Sequence, residues 1–423
     1  MTPAGSLGPP KMRGGVDLAY EGRALYDAPE DPLTGLTAAR FGLYVHFPYC
    51  LSKCPYCDFA STVAPKVPQA RYAAAVLREL QLRAEQAPGR RVDSLFFGGG
   101  TPSLWEPRFV GEVLEGINRL YPLEGGVEIT LEANPGAADA ERFAAYRALG
   151  INRLSIGVQS FESQTLGALG RGHDGPAAER AFAAARRAGF SNVSMDFIYG
   201  VQGQTVAQVE ADARRAVALG PEHLSAYALT LEKEALAEEV PLARQLARGE
   251  VTLPPEDEVI AMSTAVREIY ASAGLRRYEI SNYARPGFHS RHNTLYWTGG
   301  EYLAVGVGAT GYLAGKEHQG ARYSNLRSAE QYLTAVEAGA SPEASREVLG
   351  AKELFEERVA MGLRLSGGLD LRATCEAFGE KYEARETQVE WLASRGLLRR
   401  DQGRVRLTDA GADLHSTISA RLM

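Results

Sequence analysis

The stretch FGLYVHFPYCLSKCPYCDF (residues 41–59) joins an apolar, β-rich run to three of the chain's four cysteines. Residues 41–47 predict a strand, because they combine aromatic and β-branched side chains without a helical period. Cys50, Cys54 and Cys57 follow this run directly, with the spacing C-x3-C-x2-C. A predicted strand that leads into three thiols indicates a metal or redox site.

Similar β-rich runs recur along the chain, at 92–98, 127–133, 153–159, 192–198 and 223–229. Stretches of helical period separate them and usually end at a glycine. Intervals of roughly 25 to 50 residues between the runs suit βαβ units, whose strands are parallel. Six such units form either an open doubly wound sheet or an incomplete (β/α) barrel.

Unusual polar residues follow the ends of most of these predicted strands. The segment GGGTPS (98–103) follows the second strand, and Glu132, Gln159 and Asp196 lie at or near the ends of three others. A (β/α) barrel builds its active site from the C-terminal ends of many strands, whereas a doubly wound sheet concentrates its ligands at one switch point. The pattern therefore predicts an α/β fold with a partial (β/α)6 TIM-like barrel.

The regions outside the repeat have other patterns. Residues 1–38 are rich in Gly, Pro and Ala and predict a flexible tail, so the barrel is expected to span 39–275. Residues 276–345 show no helical period and predict a connecting segment of short strands and loops. Residues 346–423 resemble a winged-helix module of α+β type, which we interpret as a packing or partner domain because basic charge is not in excess.

The composition, with 45% hydrophobic and 23% charged residues and a net charge of −6 among 423 residues, is typical of a globular protein. An acidic balance argues against general binding to nucleic acid or anionic membranes. The sequence has no apolar run of membrane-spanning length, and its N-terminus lacks the apolar core of a signal peptide. We therefore expect a cytoplasmic protein, in which cysteines are more often metal ligands or redox groups than disulfides.

Three interpretations of the cysteine motif remain open at this point. Cys54-Pro55-Tyr56-Cys57 alone is typical of a glutaredoxin dithiol, although that reading leaves Cys50 unexplained. Addition of His46 would give a Cys3His zinc site. Three thiolates on a four-iron cluster would leave one iron open for a chelating substrate, since Cys375 is far along the chain and is expected to be a small buried hydrophobe.

The C-x3-C-x2-C motif with Tyr56 before its last cysteine resembles the cluster motif of the radical S-adenosylmethionine (SAM) superfamily. That resemblance implies a [4Fe–4S] cluster on Cys50, Cys54 and Cys57, with SAM on the open iron, and a partial (β/α)6 barrel. The segments FFGGGTPSLW, TLEANP, LSIGVQSF, LGRGHD and MDFIYGVQGQT are similar to the oxygen-independent coproporphyrinogen III oxidase group. By that resemblance the SAM contacts are Tyr44, Tyr56, Gly99, Gly100, Thr101, Glu132, Gln159, Arg171, Asp196 and Ala228.

Two features place the resemblance in the heme-chaperone (HemW) branch of that group. Phe59 stands where the oxidases have a further cysteine, and HNTLYW (292–297) fits the HNxxYW motif of the branch. The motif implies heme contacts by His292, Asn293, Tyr296 and Trp297. His292 could offer an imidazole to iron, while the aromatic rings supply apolar area for a porphyrin face.

The function implied is a heme chaperone that binds heme and passes it to apo-hemoprotein acceptors. The alternative is oxygen-independent coproporphyrinogen III oxidase activity, the radical oxidative decarboxylation of propionates. The resemblance leaves open whether the chain is an enzyme, and it assigns no catalytic residue. It further implies an electron donor such as flavodoxin or ferredoxin, a monomer or homodimer, no nucleic acid, and membrane contact only through the acceptor.

Overall fold

The structure of the protein is a computed structural model that describes residues 41–136, 140–231, 240–316, 318–401 and 403–423. The predicted flexible tail, residues 1–38, lies outside the described residues. None of the helices in these ranges combines the length and the apolar character needed to cross a bilayer.

Strands and helices alternate over the first half of the described chain. The strands are β1 (Phe41–Phe47), β2 (Tyr49–Cys50), β3 (Thr62–Val63), β4 (Val92–Gly99), β5 (Leu123–Ala133), β6 (Arg153–Gln159), β7 (Val193–Tyr199), β8 (His223–Ala228), β9 (Arg276–Glu279), β10 (Asn282–Ala284), β11 (Glu301–Gly306), β12 (Thr310–Ala314), β13 (Gly320–Asn325), β14 (Glu343–Leu349), β15 (Leu369–Asp370), β16 (Leu398–Asp401) and β17 (Arg404–Leu407). The α-helices are α1 (Gln69–Arg83), α2 (Pro107–Leu120), α3 (Ala140–Ala148), α4 (Ser163–Ala168), α5 (Gly175–Arg187), α6 (Val206–Leu219), α7 (Pro241–Ala247), α8 (Glu256–Ser272), α9 (Arg291–Trp297), α10 (Ala329–Glu337), α11 (Ala351–Arg364), α12 (Leu371–Phe378), α13 (Glu383–Ser394), α14 (Asp409–Asp413) and α15 (His415–Leu422).

Six parallel strands form the centre of the sheet, in the order β1-β4-β5-β6-β7-β8. Strands β1, β4 and β6 are almost wholly buried, as expected for parallel strands that helices cover. The described strands leave the sheet open, with β9 and β14 at its two edges. The predicted partial (β/α)6 barrel is confirmed, and all six predicted strands are present.

The segment 276–345 extends this sheet at both edges. Strands β10 and β9 continue it beyond β8 in antiparallel pairing. On the other side β11 pairs parallel with β1, and β12, β13 and β14 follow antiparallel. We expected no helices in this segment, and that expectation is wrong at two places. HNTLYW lies on helix α9, and helix α10 follows β13. The Ser290 side chain caps α9 by accepting a hydrogen bond from the Asn293 backbone N–H.

The C-terminal module has a hydrophobic core of its own, which includes Phe355, Val359, Val389 and Leu398. Its three-stranded sheet, in the order β15-β17-β16, packs with helices α11 to α15 in the predicted winged-helix-like arrangement. Cys375 is fully buried in this core, as its position in the sequence led us to expect.

A buried carboxylate joins helix α1 to the added strands. Glu79 accepts hydrogen bonds from Arg83 Nε (2.7 Å), Asn325 Nδ2 (2.7 Å), Tyr332 Oη (2.7 Å) and the Gly306 backbone N–H (2.8 Å). Glu79, Arg83 and Asn325 are at most 2% exposed. A buried charge is tolerated when partners of this kind surround it, so the network fixes β11 and β13 against α1.

We expect Glu79→Gln to lower the free energy of unfolding by about 3 kcal/mol, because it leaves the Arg83 guanidinium buried without its nearest counter-charge. Urea denaturation followed by circular dichroism measures this loss. Glu330→Gln is the matched control: Glu330 also pairs with an arginine of α1, Arg71, but its side chain is 73% exposed. Glu330→Gln should lower the free energy of unfolding by less than about 1 kcal/mol. Equal losses in the two variants would contradict the anchoring role.

Candidate functional site

The three cysteines lie on the loop that follows β1, at the C-terminal edge of the parallel strands. The loop backbone is held by hydrogen bonds from Gly100 N to Phe47 O (2.7 Å) and from Thr62 N to Pro48 O (2.7 Å). All three cysteines are half-buried and line one cavity of about 440 Å³, which we call the cysteine cavity. Cys54 lies in a turn and not at a helix N-terminus, so it lacks the feature that activates a glutaredoxin thiol.

Glycines allow β4 to approach this loop closely. Gly99 has a φ of 115°, and a Cβ there would lie 2.6 Å from the His46 ring. A Cβ on Gly100 would lie 2.7 Å from the Pro48 carbonyl oxygen. A side chain at position 99 or 100 would therefore clash with the protein itself, so both positions require glycine even without a bound ligand.

The His46 imidazole is engaged on both sides. Its Nε2 donates to the Ala60 carbonyl oxygen (3.0 Å), so its Nδ1 accepts from the Tyr44 hydroxyl (3.1 Å). A zinc ligand would need one of these nitrogens free. Among the described residues, no three His, Cys, Asp or Glu side chains are arranged to hold a single metal ion. A four-iron cluster does not require such convergence, because each thiolate binds a different iron.

The thiols have polar neighbours that suit a charged cluster. Thr101 Oγ1 donates to Cys50 Sγ, and Arg171 Nη1 donates to Cys54 Sγ, each at 3.5 Å. Burial raises the pKa of Cys50 and of Cys57, so both favour the thiol form when no cation is bound. Metal cations would convert them to thiolates, and the donor set therefore fits an iron–sulfur cluster.

Arg171 is held by a residue that the sequence interpretation did not select. Its Nη2 donates to Asn134 Oδ1 (2.5 Å) and to the Gly157 carbonyl oxygen (3.0 Å). Asn134 Nδ2 in turn donates to Thr101 Oγ1 (3.0 Å). Asn134 directly follows β5 within TLEANP, so the strand-end position that singled out Glu132 was also a signal for Asn134.

Two carboxylates face the same cavity from β5 and β7. Glu132 accepts from the Gly99 backbone N–H (3.0 Å), and Asp196 accepts from the hydroxyls of Ser155 (2.7 Å) and Ser194 (3.1 Å). Burial, reinforced by the nearby Asp196 charge, raises the pKa of Glu132 to about 8. Glu132 is thus poised to ionise when a cation enters the cavity.

Gln159 has a backbone conformation that residues other than glycine seldom adopt. Its φ is 66°, and the pairing of β6 with β7 becomes irregular between Ile156 and Gln159. Such strain persists where the surrounding structure demands it, and it occurs often at functional sites. The irregularity ends β6 with Gln159 on the cavity wall.

The structure brings nearly all of the predicted SAM contacts together. Those that line the cysteine cavity are Tyr44, Tyr56, Gly99, Gly100, Thr101, Glu132, Gln159, Arg171 and Asp196. Ala228 differs from them: it is exposed at the end of β8, and its neighbour Tyr227 lines the cavity. Arg153 and Ser155 on β6 also line it, and neither was selected from the sequence.

The HNTLYW segment lies beside this cavity on helix α9. His292 is 1% exposed, and its ring accepts or donates at both nitrogens, to Ser94 Oγ (2.9 Å) and to Tyr296 Oη (2.8 Å). Burial lowers the pKa of His292 to about 3, so the ring is neutral. Coordination of heme iron by His292 would require the loss of one of these hydrogen bonds.

A second cavity of about 510 Å³ adjoins the first, and we call it the arginine cavity. It lies between strands β11 to β13 and helix α11, and three arginines, Arg322, Arg327 and Arg358, contribute to its lining. Tyr44, Phe59 and Tyr296 line both cavities, whereas Trp297 lines the arginine cavity. The predicted heme contacts are thus divided, since His292 and Asn293 line the cysteine cavity.

Comparison with family models gives two matches. Residues 44–216 match the radical SAM superfamily, and residues 349–414 match the HemN C-terminal domain. Among solved structures, coproporphyrinogen III oxidase (HemN) from Escherichia coli aligns with a TM-score of 0.77 at 21% identity, covering 94% of each chain. This likeness concerns the fold.

Curated relatives are more similar in sequence. Heme chaperone HemW from Escherichia coli (strain K12) is 36% identical over 74% of this chain and 80% of its own length. Heme chaperone HemW from Lactococcus lactis is 33% identical over 90% of this chain and 96% of its own. Radical S-adenosyl methionine domain-containing protein 1, mitochondrial, from Bos taurus is 35% identical over 86% of this chain and 84% of its own length. On the strength of these matches, this chain belongs to the radical SAM superfamily and, within it, to the family of the heme chaperone HemW.

Proposed function

We propose that this protein is a heme chaperone of the radical SAM type, which binds heme and transfers it to apo-hemoprotein acceptors. The observation that carries the proposal is the pair of adjoining cavities, one with three thiols and one with aromatic walls. The relatives named heme chaperone support it, because they match most of the chain. Phe59 supports it too, since it occupies the place of the further oxidase cysteine.

In this proposal Cys50, Cys54 and Cys57 hold a [4Fe–4S] cluster, and SAM occupies the rest of the cysteine cavity. Such a cluster, in its reduced form, would supply the electron that cleavage of SAM requires. An electron donor such as a flavodoxin or ferredoxin would provide that electron. The half-buried position of the three cysteines suits such an exchange.

The protein's own residues bind and orient SAM. Arg171, fixed by Asn134 and Gly157, offers its guanidinium to the SAM carboxylate. Glu132 receives a cationic group of SAM, and Asp196 receives the ribose hydroxyls. Gly99, Gly100, Thr101 and Gln159 complete the cavity with backbone and side-chain polar groups.

For heme, Tyr296 and Trp297 supply ring area, and His292 acts through Tyr296. His292 fixes the Tyr296 hydroxyl at 2.8 Å, which holds the tyrosine ring in the wall between the two cavities. We therefore assign His292 a positioning role.

The proposed function is tested by titrating the protein with hemin and then adding an apo-globin as acceptor. We expect a saturable Soret band that moves to the acceptor with time. The same reconstituted protein is incubated without oxygen with coproporphyrinogen III, SAM and a reductant. Catalytic formation of protoporphyrinogen, or the absence of saturable hemin binding, would contradict the chaperone assignment.

The cluster assignment predicts a sharp division among the cysteines. Replacement of Cys50, Cys54 or Cys57 by alanine should abolish the visible absorbance of the reconstituted cluster, because each thiolate holds a different iron. Cys375→Ala should leave it intact, since Cys375 is buried in the C-terminal core. Equal loss in Cys375→Ala would indicate a fourth protein ligand and no open iron.

The raised pKa of Glu132 predicts that SAM affinity depends on pH. Below pH 8 the carboxyl is mostly protonated, so binding of a cation must release a proton. We expect SAM affinity to fall by up to about tenfold per unit as the pH is lowered from 8. Glu132→Gln is neutral at every pH and should lack this component, while ionisation of SAM itself affects both proteins alike. Equilibrium dialysis without oxygen gives the SAM affinity of each protein at each pH. If the ratio of the wild-type affinity to the Glu132→Gln affinity stays constant from pH 6 to 8, the proposed contact between Glu132 and SAM is contradicted.

A further inference from the structure

The arginine cavity has a continuous aromatic wall. Ring contacts run from Trp297 to Tyr296 (6.4 Å between centroids), from Tyr296 to Tyr302 (4.6 Å) and from Tyr302 to Tyr312 (6.5 Å). Phe378 of the C-terminal module lines the cavity as well. Its volume falls within the range of about 300 to 1,000 Å³ that small-molecule sites occupy. Such a wall suits a flat, largely apolar ligand.

Arg358 brings a positive charge to this cavity, whose lining also includes Asp58 and Glu357, the latter paired with Arg322. The Arg358 guanidinium donates to the carbonyl oxygens of Thr298 and Gly299, and it makes no ion pair with any residue that the structure describes. Burial lowers the pKa of Arg358. Arg358 is half-buried, and a partly desolvated charge without a counter-charge favours the binding of an anion.

Two other groups help to define what is missing. The neighbouring Arg322 is already paired, with Glu357 (2.5 Å) and Glu347 (3.5 Å). The Trp297 indole N–H is buried and has no hydrogen-bond partner among the described residues. Of the two groups, the Arg358 guanidinium is the charged one, and a carboxylate is the acceptor that a guanidinium binds most strongly.

We propose that the arginine cavity is the heme site, in which the aromatic wall contacts the porphyrin and Arg358 binds one propionate carboxylate. This inference rests on the proposed function and deepens it, because it gives the ligand a location and a charged anchor. Helix α11 carries Arg358, so the C-terminal module contributes directly to the site. Tyr44, Phe59 and Tyr296 line both cavities, and Tyr44 is the one predicted SAM contact among them.

The test compares two ligands on two proteins. Hemin carries free propionates, and hemin dimethyl ester has the same ring without those charges. We expect Arg358→Gln to weaken hemin binding by at least about tenfold, the effect of one lost charge-assisted hydrogen bond, and to change ester binding by less than about twofold. Soret titrations measure all four affinities. Unchanged hemin affinity in Arg358→Gln, or an equal loss for both ligands, would overturn the inference.

A control and a second variant complete the design. Lys352→Gln removes a positive charge from the same helix at an exposed position and should leave both affinities unchanged. Arg358→Lys keeps the charge and should keep part of the preference for hemin over its ester. If Arg358→Gln does not fold, a preference of less than about twofold in the wild type overturns the inference. Failure of the wild type to bind hemin at all would instead contradict the proposed function.

Discussion

The positions of both cavities depend on buried hydrogen bonds made by helix α1. Glu79 binds the end of β11 through Gly306, and Tyr72, on the same helix, donates to the His46 carbonyl oxygen at the end of β1. The Val307 N–H donates to that tyrosine hydroxyl at 3.2 Å. Helix α1 therefore fastens the ends of two adjacent parallel strands together. The cysteine loop follows β1, and β11 contributes Tyr302 to the wall of the arginine cavity.

The cysteine cavity combines groups of opposite charge that are incompletely balanced on their own. Glu132 carries a raised pKa because it is buried near another carboxylate, whereas Arg171 donates toward a cysteine sulfur and two neutral oxygens. Proteins accept such local imbalance where a ligand completes it. A cluster with a bound zwitterion would supply both signs of charge, so the polar groups of this cavity are consistent with one ligand set.

Local sequence patterns determined the central barrel, and pairings distant in the chain determined the rest. The predicted strand 153–159 coincides with β6, because period and turn signals are contained within the run itself. The pairing of β1 with β11 joins residues far apart in sequence, and no local pattern records it. Helix α9 has seven residues, too few for a helical period to be recognised. Arg358 reads in the sequence as an ordinary helix-surface cation, and its unusual position follows only from the packing of α11 against Thr298 and Gly299.

The spacing of the HNTLYW segment acquires a physical meaning on helix α9. Residues four apart share a face of a helix, so His292 reaches the Tyr296 hydroxyl. His292 is itself fixed by Ser94 of β4 and stacks on Phe96 at 5.3 Å between centroids. The barrel interior thereby fixes a ring that borders both cavities. Phe59 borders both as well and lies two residues after Cys57, on the loop that carries the cysteines. The two proposed sites therefore share three aromatic side chains: Tyr44 of β1, Tyr296, which the barrel fixes, and Phe59, which lies on the loop that would hold the cluster.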